Sequence, residues 1–201
     1  MTIVCFCMFT GIIKKISTIE SIDSKNGSLF AVIKKEKDWP VELGQSISIN
    51  GVCSTVQKFD KNSFLVEWMP ETLKKTTVSS FKKGQLVNLE TSLNLNSLLD
   101  GHIVQGHVDT VGKVLEIKPL KDSKIIKIKT PTKFLKLIVD KGSVAVDGIS
   151  LTVVDTGRDW FTVSLVSYTI ANTNFQNTKK GDLVNIETDV LAKYVARLMK
   201  K

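Results

Sequence analysis

The sequence predicts an all-β molecule with short helices, made of two tandem copies of one barrel or sandwich. Three observations carry this. Residues 51–90 align with 148–187 at a constant offset of 97 without a gap, and 14 of the 40 positions are identical. Unrelated chains of average composition would match at roughly two or three. Most of the remaining chain reads as short runs rich in β-branched and aromatic residues. Turn residues punctuate those runs at regular spacing. A length of 201 residues accommodates two units of about 100, and an apolar content of 42% suffices for a core in each.

The elements follow in order. Phe9-Thr-Gly11 corresponds to Val104-Gln-Gly106 at an offset of 95, so each copy starts before its aligned block. Asn26-Gly27 and Leu43-Gly44 mark turns. Gln45–Asn50 alternates polar and apolar residues, as does Ser143–Asp147, and both read as strands. Ser63–Trp68 and Trp160–Leu165 read as strands on composition, and Val87–Glu90 and Val184–Glu187 close the two copies. Asp60–Asn62, Lys83-Gly84, Lys141-Gly142, Asp155–Gly157 and Lys180-Gly181 supply further turns. Each copy carries one helix-like insert, Thr72–Thr77 after Pro70-Glu71 and Thr132–Ile138 after Pro131. The end, Val190–Met199, predicts a helix with Leu191, Tyr194, Val195, Leu198 and Met199 on one face. So short a helix is marginal alone and needs a surface to dock on, its own barrel or a neighbouring subunit. The resulting division is an N-terminal unit over 8–101, a C-terminal unit over 102–189 and a terminal helix over 190–201. Residues 1–7 are expected to lie outside the core.

Composition excludes several classes of function. No stretch of 18 apolar residues occurs, so no membrane-spanning helix is expected. The apolar start, Met1–Phe9, lacks a basic leader and a small-residue cleavage site, and does not read as a signal peptide. Cys5, Cys7 and Cys53 are odd in number and unframed, which predicts a reduced, cytoplasmic setting. The net charge of +8 comes from lysine pairs spread along the chain. They form no basic stripe with interleaved aromatics, so no nucleic-acid partner is expected.

Six strings in order resemble one family: Met8–Ile12, Asn50–Val56, Pro70–Leu73, Gly101–His107, Val146–Val153 and Leu191–Val195. Together they look like riboflavin synthase, a family built from two lumazine-binding repeats, and the resemblance covers residues 8–199. It implies two six-stranded Greek-key barrels and a C-terminal helix that helps build a homotrimer. It implies dismutation of two 6,7-dimethyl-8-ribityllumazine molecules by transfer of a four-carbon unit. The products would be riboflavin and a ribitylamino-pyrimidinedione. No metal or organic cofactor is implied. Active sites are expected between the N-terminal barrel of one subunit and the C-terminal barrel of its neighbour.

Side chains two apart on a strand share a face, so Cys53 should point with Thr55, and Ser150 with Thr152. In the family the segments matching Gly11-Ile12-Ile13 and Gly106-His107-Val108 line the lumazine pockets. So do those matching Cys53-Ser54-Thr55 and Ser150-Leu151-Thr152. The list extends to Glu67-Trp68-Met69-Pro70-Glu71-Thr72 and its copy Ser164-Leu165-Val166-Ser167-Tyr168-Thr169. Lys141 is either a ribityl anchor or a solvated turn lysine. Ser46, Cys53 and His102 match catalytic positions proposed for the N-terminal barrel, and Ser150 and Asp189 those of the C-terminal barrel. The reaction needs a proton taken from the 7-methyl group of one lumazine. His102 and His107 are the chain's two histidines and the natural general bases. Five apart, they would face opposite sides of a straight strand. Two histidines make a poor metal site. The sequence identifies no neighbouring base to activate Cys53, which reads as a positioning residue. Asp189 either contacts substrate or caps the last helix.

The chain departs from the family at Ser54, where leucine is usual, and at Ser167-Tyr168, where a proline followed by histidine or glutamate is common. The second pocket thereby loses a charge or an imidazole. A non-catalytic lumazine- or flavin-binding protein on the same scaffold is the competing reading. Retention of His102, Cys53, Ser150 and Asp189 favours the enzyme.

Overall fold

The computed structural model describes residues 8–199. Residues 1–7, with Cys5 and Cys7 and the expected extension, lie outside them, as do Lys200 and Lys201. The described residues form two closed, antiparallel six-stranded barrels. The first comprises β1 (Lys15–Lys25), β2 (Ser28–Lys34), β3 (Ser46–Ile49), β4 (Val52–Phe59), β5 (Ser63–Trp68) and β6 (Leu86–Thr91), in the spatial order 1-2-5-4-3-6. The second comprises β7 (Thr110–Pro119), β8 (Ser123–Lys129), β9 (Ser143–Val146), β10 (Ile149–Thr156), β11 (Trp160–Val166) and β12 (Leu183–Thr188). Its strands repeat the order as 7-8-11-10-9-12.

Closure follows from the period-two pattern. Leu29, Ala31 and Ile33 on β2 and Phe64, Val66 and Trp68 on β5 point inward, as do Phe161, Val163 and Leu165 on β11. Each barrel bends at two bulges, between Ile19 and Ser21 and between Val56 and Lys58 in the first, and between Val114 and Glu116 and between Val153 and Asp155 in the second. The bulges let one long strand serve two neighbours. The β3–β4 and β9–β10 hairpins turn on Asn50-Gly51 and Asp147-Gly148, all four with positive φ, as a two-residue turn of this hand requires.

Those two turns meet at the seam between the barrels. A side chain on Gly51 would lie 2.7 Å from the Gly148 nitrogen. Around them Asn88 on β6 and Asn185 on β12 exchange hydrogen bonds across the seam. The Asn88 side-chain amide donates to the Asp147 carbonyl at 3.0 Å, and that of Asn185 to the Asn50 carbonyl at 2.8 Å.

The helices correct one expectation. Helix α1 (Pro70–Lys75) starts at its proline. Helix α2 (Thr132–Leu135) is shorter than the expected 132–138 and is not the copy of α1, because it lies between β8 and β9. The copy is α3 (Ser167–Ala171), at the position read as a strand running into a turn. Its Ser-Tyr-Thr-Ile composition carries no helix signal, and no proline marks its start. Helix α4 (Val190–Leu198) caps its N-terminus with Asp189, whose Oδ1 accepts from the Leu191 N–H at 2.9 Å.

Candidate functional site

Two segments cross between the barrels. Residues 8–13 precede β1, and residues 101–109 precede β7. They pair with each other at one bridge, Phe9 to Val104, with N–H···O distances of 2.7 and 3.0 Å. Beyond the bridge each runs onto the other repeat's barrel. The Ser150 N–H on β10 donates to the Gly11 carbonyl at 2.8 Å, and the Cys53 N–H on β4 to the Gly106 carbonyl at 2.9 Å. The approach needs glycine. A Cβ on Gly11 would lie 2.6 Å from the Ser150 Cβ, and one on Gly106 would lie 2.7 Å from the Cys53 Cβ, both at positive φ. Ile13 then packs on the second core and Val108 on the first.

The result is two matching half-sites. The first joins Cys53 and Thr55 on β4 to Gly106, His107 and Val108. Glu67 on β5 and Met69, Pro70, Glu71 and Thr72 follow at the strand exit. The second joins Ser150 and Thr152 on β10 to Gly11, Ile12 and Ile13, with Ser164, Val166, Ser167, Tyr168 and Thr169 at the equivalent exit. Thr55 and Thr152 are exposed, and Cys53 and Ser150 half-buried, so the expected shared faces hold. Gln57 donates to Glu67 at 3.1 Å, and Glu71 pairs with Lys75 at 2.8 Å.

His102 belongs to the second half-site, although its expected companions, Ser46 and Cys53, lie on the first barrel. Crossing carries it over: its N–H donates to the Thr10 carbonyl at 3.1 Å, and its Nδ1 lies 2.7 Å from the Ser150 hydroxyl. The residue is 8% exposed, and its Nε2 is buried without a partner among the described residues. Burial lowers the imidazole's pKa, which the charge of Asp189 partly opposes. His102 is therefore a neutral base at neutral pH. The Ser150 contact places the ring beside the second half-site. His107 is exposed and belongs to the first half-site, on a segment that is not a strand.

Four expected pocket residues point elsewhere. Ser54, Trp68, Leu151 and Leu165 face the barrel interiors, 2%, 2%, 7% and 0% exposed. Strand alternation turns them away from Cys53, Thr55, Ser150 and Thr152. The Trp68 indole N–H donates to the Ser54 hydroxyl at 2.8 Å. The second barrel has Leu165 and Leu151 at the equivalent positions. Ser54 thus supplies an acceptor for the buried tryptophan across the strand. Ser46 is buried on β3 opposite Thr55. Lys141 is an exposed turn residue at a φ of 64°.

Sequence reasoning missed Glu90 and Glu187, although both sit in the aligned block. Glu90, on β6, accepts from the Thr10 N–H and hydroxyl at 2.7 and 2.6 Å and from the Gly11 N–H at 3.0 Å. Glu187, on β12, accepts from the Gln105 and His107 N–H groups at 2.7 and 3.0 Å. Burial raises both carboxyls, Glu187 to about 7.

A separate polar groove of about 480 Å³ runs along the barrel seam past Asn50, Thr77, Lys82, Asp147, Asn174 and Asp182. It contains none of the half-site residues. Among the described residues no group of three or more histidine, cysteine or acidic side chains stands close enough to hold a metal. None of their helices is long and apolar enough to cross a membrane.

The lumazine binding domain family matches twice, over residues 10–92 and 105–189. A riboflavin synthase of Actinobacillus pleuropneumoniae is 42% identical over 195 residues, covering 96% of this chain and 91% of that protein. A riboflavin synthase of Bacillus subtilis is 40% identical with the same coverage. Among solved structures, LumP complexed with riboflavin superposes with a TM-score of 0.84 at 25% identity, over 90% of this chain and 98% of that one. LumP complexed with 6,7-dimethyl-8-(1'-D-ribityl) lumazine has a TM-score of 0.82 at 23% identity over the same shares, which establishes likeness of fold.

Proposed function

We propose that this chain, which belongs to the riboflavin synthase family, a family of transferases, forms riboflavin from two molecules of 6,7-dimethyl-8-ribityllumazine. The observation that carries this reading is the pair of duplicated half-sites, alike in backbone and unlike in side chains. Equivalent backbone suits two copies of one heterocycle. Unequal side chains suit two different roles in one reaction. One lumazine donates a four-carbon unit and leaves as the ribitylamino-pyrimidinedione, and the other accepts the unit and becomes riboflavin.

In this proposal Cys53, Thr55 and the Gly106–Val108 backbone hold one lumazine. Ser150, Thr152 and the Gly11–Ile13 backbone hold the other. His102 removes the 7-methyl proton, and the resulting negative charge spreads over the ring system. Ser150 fixes the imidazole through the 2.7 Å contact. Asp189 caps α4 and faces the imidazolium that forms, which its charge stabilises.

Thr55 and Thr152, one in each half-site, are exposed on a single chain, and α4 leaves an apolar face uncovered. Leu191, Tyr194, Val195, Leu198 and Met199 are 55–83% exposed. That face supports a homotrimer in which a first half-site meets a neighbour's second. Three unframed cysteines support a reducing, cytoplasmic location.

The experiment is to mix purified protein with 6,7-dimethyl-8-ribityllumazine and follow riboflavin absorbance. Riboflavin appearing with two lumazines consumed for each flavin is expected. Lumazine that binds and stays unchanged would replace the proposal with a non-catalytic binding protein, a reading favoured by the loss of a charge or an imidazole at Ser167-Tyr168 and by the likeness to LumP.

A further inference from the structure

Glu90 and Glu187 are buried acids at the same place in the two repeats, each on the last strand of its own barrel and 1% and 3% exposed. Burying a carboxylate is costly, as their raised pKa values reflect. The cost recurs in both barrels, so the groups that each acid faces matter. They are donors: Thr10 N–H, Thr10 hydroxyl and Gly11 N–H for Glu90; Gln105 and His107 N–H for Glu187. A carboxylate accepts at both oxygens, whereas a glutamine would set its own N–H₂ against one of these N–H groups.

The clamped residues are those that cross. Gly11, held by Glu90 of the first barrel, accepts from Ser150 on the second. Gly106, flanked by Gln105 and His107 that Glu187 of the second barrel holds, accepts from Cys53 on the first. Each acid thus holds backbone of the opposite half-site directly, Glu90 at Gly11 and Glu187 at His107. We propose that Glu90 and Glu187 are positioning residues for the reaction, each shaping the substrate pocket of the barrel to which it does not belong. The clamp on the first pocket has a further tie. Lys193 of α4 and Asp109 pair at 2.8 Å, and both act on Glu187.

This inference rests on the reading above that the half-sites hold lumazine. The test is hydrogen–deuterium exchange of wild type, Glu187→Gln and Glu90→Gln, each with and without riboflavin as the probe. In wild type, riboflavin is expected to protect 53–55 and 105–108, and also 11–13 and 150–152. Without ligand, Glu187→Gln speeds exchange at 105–108 by about tenfold or more, as expected when a buried charge-assisted bond is lost. With riboflavin it loses protection at 53–55 and 105–108 and keeps it at 11–13 and 150–152. Glu90→Gln does the reverse. Protection lost on the acid's own barrel, lost equally on both, or unchanged overturns the proposal. If wild type shows no protection anywhere, the lumazine reading fails instead, and the clamp is then decided by ligand-free exchange alone, where unchanged rates at 105–108 overturn it. Should a glutamine variant fail to fold, Glu187→Asp, which keeps the charge and withdraws it by one methylene, is read in the same way.

Discussion

At the scale of single residues the proposed chemistry concentrates on His102. Whichever ring nitrogen carries the proton, the Ser150 hydroxyl engages Nδ1 and leaves Nε2 unsatisfied. A buried polar atom without a partner is costly unless a ligand or another subunit meets it. Replacing His102 with alanine is expected to lower the turnover rate by about 10²–10⁴-fold, typical for loss of a general base, while lumazine binding measured by fluorescence titration persists. Burial keeps this imidazole neutral below its ordinary pKa of 6.5, so the acid limb of the wild-type rate profile should fall below pH 6.5. A limb above that value would assign the base elsewhere. The Ser54–Trp68 pair makes an independent prediction. Ser54→Leu strands the indole N–H and overpacks the interior, costing about 1–3 kcal/mol in denaturant unfolding. Adding Trp68→Leu rebuilds the Leu151–Leu165 arrangement of the second barrel, so the double variant should be more stable than Ser54→Leu alone. Strictly additive losses would show that the two residues do not act as a pair.

At the scale of elements, legibility depended on the kind of signal. Strands β3, β5, β6, β9, β11 and β12 were readable because alternation and β-branched content are local. Helix α3 was not, because packing against its barrel overrides a sequence with no helix preference. Helix α4 was readable, and so was its uncovered face. Leu198 on that face is 83% exposed. Leu198→Asp is expected to leave the barrels folded, shift the light-scattering mass to that of one chain and remove activity. A variant that stays assembled and active would mean that another surface joins the subunits. The crossing segments were the least legible elements. The repeat locates Gly11 and Gly106 but says nothing of which barrel each one serves. An exchanged and an unexchanged arrangement produce the same duplication, and only contacts at large sequence separation tell them apart.

At the scale of the whole molecule, the two barrels are joined by hydrogen bonds at the asparagine seam. There the repeats differ: Asn50 and Thr77 in the first, Asp147 and Asn174 in the second. Asp147 accepts from the Asn185 N–H and the Asn174 side-chain amide, both at 2.8 Å, and burial raises its carboxyl from 3.8 to about 7. The unfolded chain releases this proton near the ordinary value, the folded chain near 7. Between the two the folded state holds the extra proton, and the group's contribution to stability falls as pH rises. Thermal melts should therefore show the gap between Asp147→Asn and wild type moving in the variant's favour from about pH 5 to about pH 8. A gap that is flat, or that moves the other way, would place the cost of burial elsewhere.

In the proposed trimer, two half-sites on different subunits make one active site. Thr55 and Thr152 are exposed, one on each half-site, so arginine at either should block that pocket and spare the fold. Thr55→Arg and Thr152→Arg chains are each expected to form no riboflavin alone. When co-expressed, they pair an intact first half-site on one subunit with an intact second half-site on its neighbour, and activity returns. Mixed assemblies that remain inactive, with both chains folded and associated, would contradict the account.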